Sequence, residues 1–365
     1  MKDKAKVYSS IRYTFVIFEF VYLFALLIAL LSLGLSSRLY ASIVSMGFAD
    51  FFILPAYLFI LFAGYYILNF PLNFAHSFLL EHKFALTRQR FLPWLVDQLK
   101  VQAISYLIVL ICLEAFYYIV RVTPGNWWWI ISILWIFFSL ILARFTPQLI
   151  IPLFFKYKKI ENDDLKSRIM NLADKMKVKI LDVFEIDFSK KTLKANAAFV
   201  GTGNTRRVLL ADTLKDKYTQ DEIEVILAHE FAHCRLRHLI KLLIAGSLLN
   251  ALAFYAIFKT STFVFPVFGF LTLSDISGLP VMFIYFMLFG LFTQPLSNYI
   301  SRKFEFSADT MAIRFTGLRG AFISTMEKLS TQNLADRKPH PLIKFLFFDH
   351  PPIDERIKQA ERLEF

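Results

Sequence analysis

His229-Glu230-Phe231-Ala232-His233 sets two imidazoles four residues apart with a carboxylate between them. On a helix, residues i and i+4 share a face, so His229 and His233 can hold one Zn2+. Glu230 lies beside them, placed to take a proton from a water that the metal makes available near neutral pH. This is the spacing of a zinc peptidase site. The bland alternative is a pair of polar helix residues at a membrane surface. Catalytic zinc normally has three protein ligands and one open position. No further histidine follows at the usual short interval, and His238, five residues past His233, turns off the ligand face. Glu305 is the candidate third ligand. It opens Glu305-Phe306-Ser307-Ala308-Asp309 on a second acidic helix, Ser301 to Arg314. Asp309, one turn later, can accept a hydrogen bond from the free nitrogen of a ligating histidine. A capped, solvated helix face would also explain these two acids.

These helices need positioning elements. Thr219 followed by Glu222 is a capping box that starts the helix carrying His229. Upstream, Asp163 to Met176 reads as a helix with Leu165, Ile169, Leu172 and Met176 on one side. Val183 to Ile186 is a short strand candidate. Ala198 to Val200 and Arg207 to Ala211 form a candidate hairpin across Gly201-Thr202-Gly203-Asn204. All of this lies in Leu153 to Arg237, the one large polar block.

The rest is apolar. Of 365 residues, 56% are hydrophobic, 42 are Phe and only 19% are charged, where a soluble chain has about a quarter. The charges vanish over runs long enough for a bilayer, about 20 residues. Six spans are expected, at Phe15 to Leu35, Phe51 to Leu72, Val101 to Val120, Trp127 to Phe145, Leu239 to Phe258 and Leu279 to Ile300. Trp127, Trp128 and Trp129 supply an interfacial belt. Thr262 to Leu273 is too short to cross and reads as a re-entrant or interfacial piece. The first apolar span is too long for a cleavable signal peptide. A tail from Lys344 to Phe365 follows a loop at Thr331 to His340. The expected organisation is a membrane region at 1–152, a catalytic segment at 153–238, two spans at 239–300, and the third-ligand helix with the tail at 301–365.

The formal charge of +12 concentrates in loops beside spans, which fits anionic lipid as partner and not nucleic acid. Basic residues crowd the N-terminus, the 76–100 connection and the 153–237 block. The positive-inside rule then puts both ends and the catalytic segment in the cytoplasm. The 2 cysteines, Cys112 and Cys234, make neither a metal cluster nor a disulfide framework. Cys234 is expected to be a packing residue.

The two motifs around His229 and Glu305 together resemble a family of integral-membrane zinc metallopeptidases that includes the type I CAAX prenyl protease and a bacterial heat-shock protease. Leu80-Glu81-His82-Lys83-Phe84, Asn196-Ala197-Ala198-Phe199 and His350-Pro351-Pro352-Ile353-Asp354-Glu355-Arg356-Ile357 are similar to the prenyl-protease branch. The resemblance implies one zinc ion on His229, His233 and Glu305, with Glu230 as general base. It implies that Asn196, with Ala197 and Phe199, lies on an edge strand that lines the substrate. It also implies that His350 approaches the scissile carbonyl, with Arg356 supporting the site. Read without it, Asn196 ties down a turn, His350 caps local backbone, Arg356 meets acidic neighbours or lipid headgroups, and Glu81 and His82 pair at a membrane edge. His340 stays outside the site. Eukaryotic members resemble a seven-span design, so this chain resembles a shorter, prokaryotic member in a cytoplasmic membrane. The endoplasmic reticulum would be the location in a eukaryote.

The expected fold is therefore a predominantly α-helical polytopic membrane protein with a zincin-like α+β catalytic part containing a short sheet. The expected activity is zinc-dependent cleavage of peptides or proteins, prenylated C-termini among them. Quality control of damaged membrane proteins is the rival within the enzyme class, and a non-catalytic scaffold or transporter the rival outside it.

Overall fold

A computed structural model describes residues 2–201, 206–215 and 217–364. Two long helices come first, α1 (Lys2–Ser32) and, after the short α2 (Leu35–Ser45), α3 (Asp50–Asn73). A wider-wound turn, Phe74–Leu79, carries α3 without a break into α4 (Leu80–Lys83). α5 (Phe91–Val122), α6 (Trp127–Phe145) and α7 (Ile151–Phe154) complete the N-terminal half. The polar block follows as β1 (Tyr157–Lys159), α8 (Asp163–Lys175), β2 (Asp182–Ile186), β3 (Ala197–Val200), β4 (Arg207–Ala211), α9 (Asp212–Lys215) and α10 (Gln220–Arg235). The chain then runs through α11 (His238–Val267), α12 (Leu279–Thr316), α13 (Arg319–Gln332), α14 (Pro341–Phe347) and α15 (Ile353–Arg362).

Among the described residues, six helical stretches are long and apolar enough to cross a membrane: Lys4–Ser32, Asp50–Lys83, Phe91–Val122, Trp127–Phe154, His238–Val267 and Ile276–Thr316. Large apolar side chains such as Phe263, Val267, Phe292 and Leu248 stand exposed along them, which is stable only against lipid. The protein is a multi-pass integral membrane protein. Where helices meet, Tyr57, Leu58, Tyr117, Trp127, Ile257 and Phe265 form a buried cluster.

Two expectations about these spans are corrected. Thr262 to Leu273 is no separate piece, because α11 continues to Val267 and only the remainder is loop. Lys259-Thr260 ends the apolar run, but neither residue breaks a helix. Likewise Ser301 to Arg314 is the end of α12, continuous with the sixth span. Polar side chains end a hydrophobic stretch without ending backbone hydrogen bonding. At 1.5 Å per residue the 38 residues of α12 reach about 57 Å, well beyond a hydrocarbon core of about 30 Å. Its far end is thereby delivered to the polar block.

There a four-stranded sheet runs in the order β1-β2-β4-β3. β1 pairs antiparallel with β2, β2 parallel with β4, and β3 antiparallel with β4 in the register Ala197↔Leu210 to Val200↔Arg207. β3 is thus an edge strand. The expected turn joining it to β4 lies, beyond Gly201, outside the described residues. One face of the sheet packs with α8, α10 and α12 around Ile169, Met176, Val208, Leu210, Leu227 and Phe231.

Candidate metal centre

α10 starts as its sequence dictates. Thr219 N–H donates to Glu222 Oε2 at 2.8 Å, and Glu222 N–H to Thr219 Oγ1 at 3.3 Å. Glu222 also accepts from Lys328 Nζ and Ser324 Oγ, each at 2.6 Å, which clamps α13 to the same end. Along α10, Ala228 and Ala232 are fully buried in one cluster with Ala308 and Ala312 of α12. Four methyl groups at the contact let the two backbones approach closely, and that approach brings Glu305 to the histidines.

His229 Nε2 and His233 Nε2 lie 3.1 Å apart. Glu305 Oε2 is 3.4 Å from the first and Glu305 Oε1 is 3.2 Å from the second. Three ligand atoms at about 2.0–2.1 Å from a tetrahedral zinc would be separated by about 3.3 Å. Glu305 Oε2 is moreover a buried oxygen without a hydrogen-bond partner, which is costly unless a cation faces it. His229, His233 and Glu305 therefore fit one zinc ion, and three protein ligands are the number a catalytic zinc takes.

The rear nitrogens are held as well. His229 Nδ1 lies 2.9 Å from Asp309 Oδ1, and Asp309 is bound by Arg356 through Nε to Oδ2 at 2.8 Å and Nη2 to Oδ1 at 2.5 Å. Arg356 Nη2 is also 3.8 Å from Glu305 Oε2. Burial pushes the His229 pKa down, but the Asp309 and Glu305 carboxylates outweigh it and hold it at about 9. The pocket thus favours positive charge at this imidazole, which a proton or a divalent cation supplies. Burial pushes the Glu230 carboxyl up, with the two imidazoles working against it.

Sequence reasoning put His238 off the ligand face without giving it work. The structure sets its Nδ1 3.0 Å from His233 Nδ1, its Nε2 3.2 Å from Ser307 Oγ and its ring flat against Phe304. If His233 Nδ1–H donates to it, His233 presents the Nε2 lone pair to the metal, as Asp309 makes His229 do. No spacing rule carries that signal, since residue 238 begins a new helix after Arg237 in the left-handed region (φ 57°). His238→Phe, which keeps the stack on Phe304 but cannot accept, is expected to lower zinc affinity about 10- to 100-fold, measured by chelator competition.

A cavity of about 240 Å³ opens beside the cluster, lined by Asn196, Ala197, Glu230, Glu305, His350 and Arg356 among others. Asn196 and His350 are exposed. His350 Nε2 comes within 3.5 Å of Glu305 Oε1, and its Nδ1 lies 2.9 Å from Asp349. α12 anchors this tail: Asn298 Nδ2 donates to Leu346 O at 2.8 Å and Arg302 Nη1 to Phe348 O at 2.5 Å. Phe199 lies on the edge strand β3, as expected, with its ring turned away from this cavity. It packs edge-on against Phe231 and supports β3 from behind, outside the cavity lining. Glu81 takes Tyr8 OH at 2.5 Å and Lys194 Nζ at 2.9 Å, tying α4 to the segment before β3. His82 bonds its own helix at Phe78 O. Cys234 packs at the rim of the catalytic core.

The profile of Peptidase family M48 matches residues 159–364, and that of the CAAX prenyl protease N-terminal region, five membrane helices, matches residues 2–156. An uncharacterized metalloprotease of Bacillus subtilis, YhfN, is 33% identical over 276 residues, which are 74% of this chain and 65% of that one. CAAX prenyl protease 1 of Saccharomyces cerevisiae is 29% identical over 310 residues, 80% of this chain and 68% of that one. The crystal structure of S. mikatae Ste24p superposes with a TM-score of 0.90 over 99% of this chain and 89% of that chain, at 24% identity, and so shares the fold. The M48 match takes in more than half of the sequence and encloses every ligand of the candidate centre, and on that ground the chain belongs to peptidase family M48.

Proposed function

We propose that this protein is a zinc endopeptidase of membranes that cleaves the C-terminal tripeptide from prenylated proteins. The observation that carries the peptidase reading is the triangle of His229 Nε2, His233 Nε2 and Glu305 carboxylate, with Glu230 beside it and an edge strand at the cavity wall. A Zn2+ held there supplies Lewis acidity and a nucleophilic water near neutral pH. The remaining work falls to the chain. An extended peptide adds to the free edge of β3, main chain to main chain, with the Asn196 amide steadying it. Glu230 takes the proton of the attacking water and returns it to the departing amine. His350, stiffened by Pro351-Pro352, donates to the oxyanion, and Arg356 supports the site by holding Asp309 behind His229. Both termini and the site face the cytoplasm on this reading, in keeping with the basic loops.

Support for the prenylated substrate is the likeness to CAAX prenyl proteases along both halves of the chain. The test is a farnesylated CaaX peptide against its unprenylated twin, with purified protein in detergent. A preference of at least about tenfold in kcat/KM is expected, which needs only about 1.4 kcal/mol of differential binding. Equal rates on both peptides would remove prenyl recognition and leave a broader membrane-protein peptidase, such as a quality-control enzyme. Loss of cleavage on chelation, with recovery on adding Zn2+, checks the metal.

A further inference from the structure

We infer that Asn333 is a specificity-determining stop that closes the free edge of β3 at Ala195 and limits how far a substrate can run past the cleaved bond on that side. The inference rests on the peptidase reading above.

In the β3/β4 ladder, Ala211 N–H donates to Asn196 O, so Asn196 turns its backbone groups towards β4. Antiparallel pairing alternates, and Ala195, Ala197 and Phe199 therefore turn theirs to the open side. The open side is not free along its whole length. Asn333 Oδ1 accepts from Ala195 N–H at 2.9 Å, and Asn333 Nδ2 donates to Ala195 O at 3.3 Å. The carboxamide thus takes both groups that an added strand would use. Behind it, Leu193 N–H donates to Leu86 O at 2.8 Å and Leu193 O accepts from Gln332 Nε2 at 2.7 Å. A peptide on this edge can pair opposite Ala197 and Phe199, and it meets side chain at Ala195.

Asn333 and Ala195 line the same cavity as Glu230, so the stop stands in the substrate channel itself. It is also held firmly. Asn333 ends α13, and Leu334 after it adopts a left-handed backbone (φ 49°), which a leucine keeps only when its surroundings impose it. Those surroundings are Tyr8, Leu80 and Phe84, against which Leu334 packs. A mere helix cap would satisfy its own helix. This amide spans 138 residues of sequence to reach the strand.

The test uses the full chain in detergent, loaded with zinc, on a tryptic digest of β-casein, with every fragment measured by mass spectrometry. Wild type should give fragments of limited length on one side of the cleaved bond and of any length on the other. Asn333→Ala frees one more outward-facing residue, so the limit on that side should lengthen by about two residues, the strand repeat, with the other side unchanged. If Asn333→Ala does not purify with zinc, Asn333→Ser withdraws the carboxamide from Ala195 while keeping a small polar side chain at the end of α13, and the same shift is expected. Fragment lengths unchanged in the variant, or a uniform fall in rate without a shift, would overturn the stop and leave Asn333 a structural tie. If no fragment depends on Glu230, the peptidase reading itself fails.

Discussion

Glu230→Gln is expected to keep its zinc and lose turnover by at least about 10²- to 10⁴-fold, the usual share of a general base. The change is nearly isosteric, and Glu230 is not among the three groups that converge on the metal. What disappears is the ability to accept a proton. Burial raises this carboxyl, which suits a group that must also give the proton back. Zinc content by mass spectrometry and single-turnover cleavage of a peptide separate the two properties. Glu305→Gln is the contrast: it weakens a charged ligand whose Oε2 has no hydrogen-bond partner, so metal and activity should fall together. Turnover of Glu230→Gln at the wild-type rate would remove Glu230 from the chemistry.

The sequence made the ligands visible because their signals are local. A capping box, an i, i+4 histidine pair and an acid near the end of an apolar run are all read from spacing, and β4 and α8 likewise follow from short patterns. Other features are tertiary. β1 is three residues, Tyr157–Lys159, defined only by pairing with β2. α13 leaves little periodic signal, because few of its residues face inwards, Phe322, Thr325, Met326 and Ser330 among them. The contact from Asn333 to Ala195 depends on where α13 ends and is tertiary as well. The use of His238 is tertiary too, since its partner is the rear nitrogen of His233, a matter of how α10 hands over to α11. The fifth and sixth helices outrun their expected spans for one reason: hydropathy marks where lipid ends, and the helix continues until a glycine such as Gly317 turns it.

Arg356→Ala should produce the largest loss of stability among the site variants. Its guanidinium holds Asp309 through two parallel bonds, and both residues are buried. Removing one partner of such a pair costs about 3–5 kcal/mol, because the other charge stays behind without compensation. Here His229 Nδ1 also contacts Asp309 and would recover part of that. Arg356→Lys should rescue only in part, since an ammonium cannot reproduce the fork. Thermal unfolding and chelator competition measure both variants. A double-mutant cycle with Asp309→Ala then decides how Arg356 serves catalysis. If it works by holding Asp309, and through it His229, the double variant should lose no more zinc affinity or kcat than the worse single one. If its charge also reaches the oxyanion, kcat should fall further in the double variant than in Asp309→Ala, with zinc affinity unchanged between them. Arg356 Nη2 sits 3.5 Å from His229 Nδ1 and is already committed to Asp309 Oδ1. That placement favours the first outcome: the guanidinium fixes the carboxylate, the carboxylate fixes the imidazole, and the imidazole faces the metal.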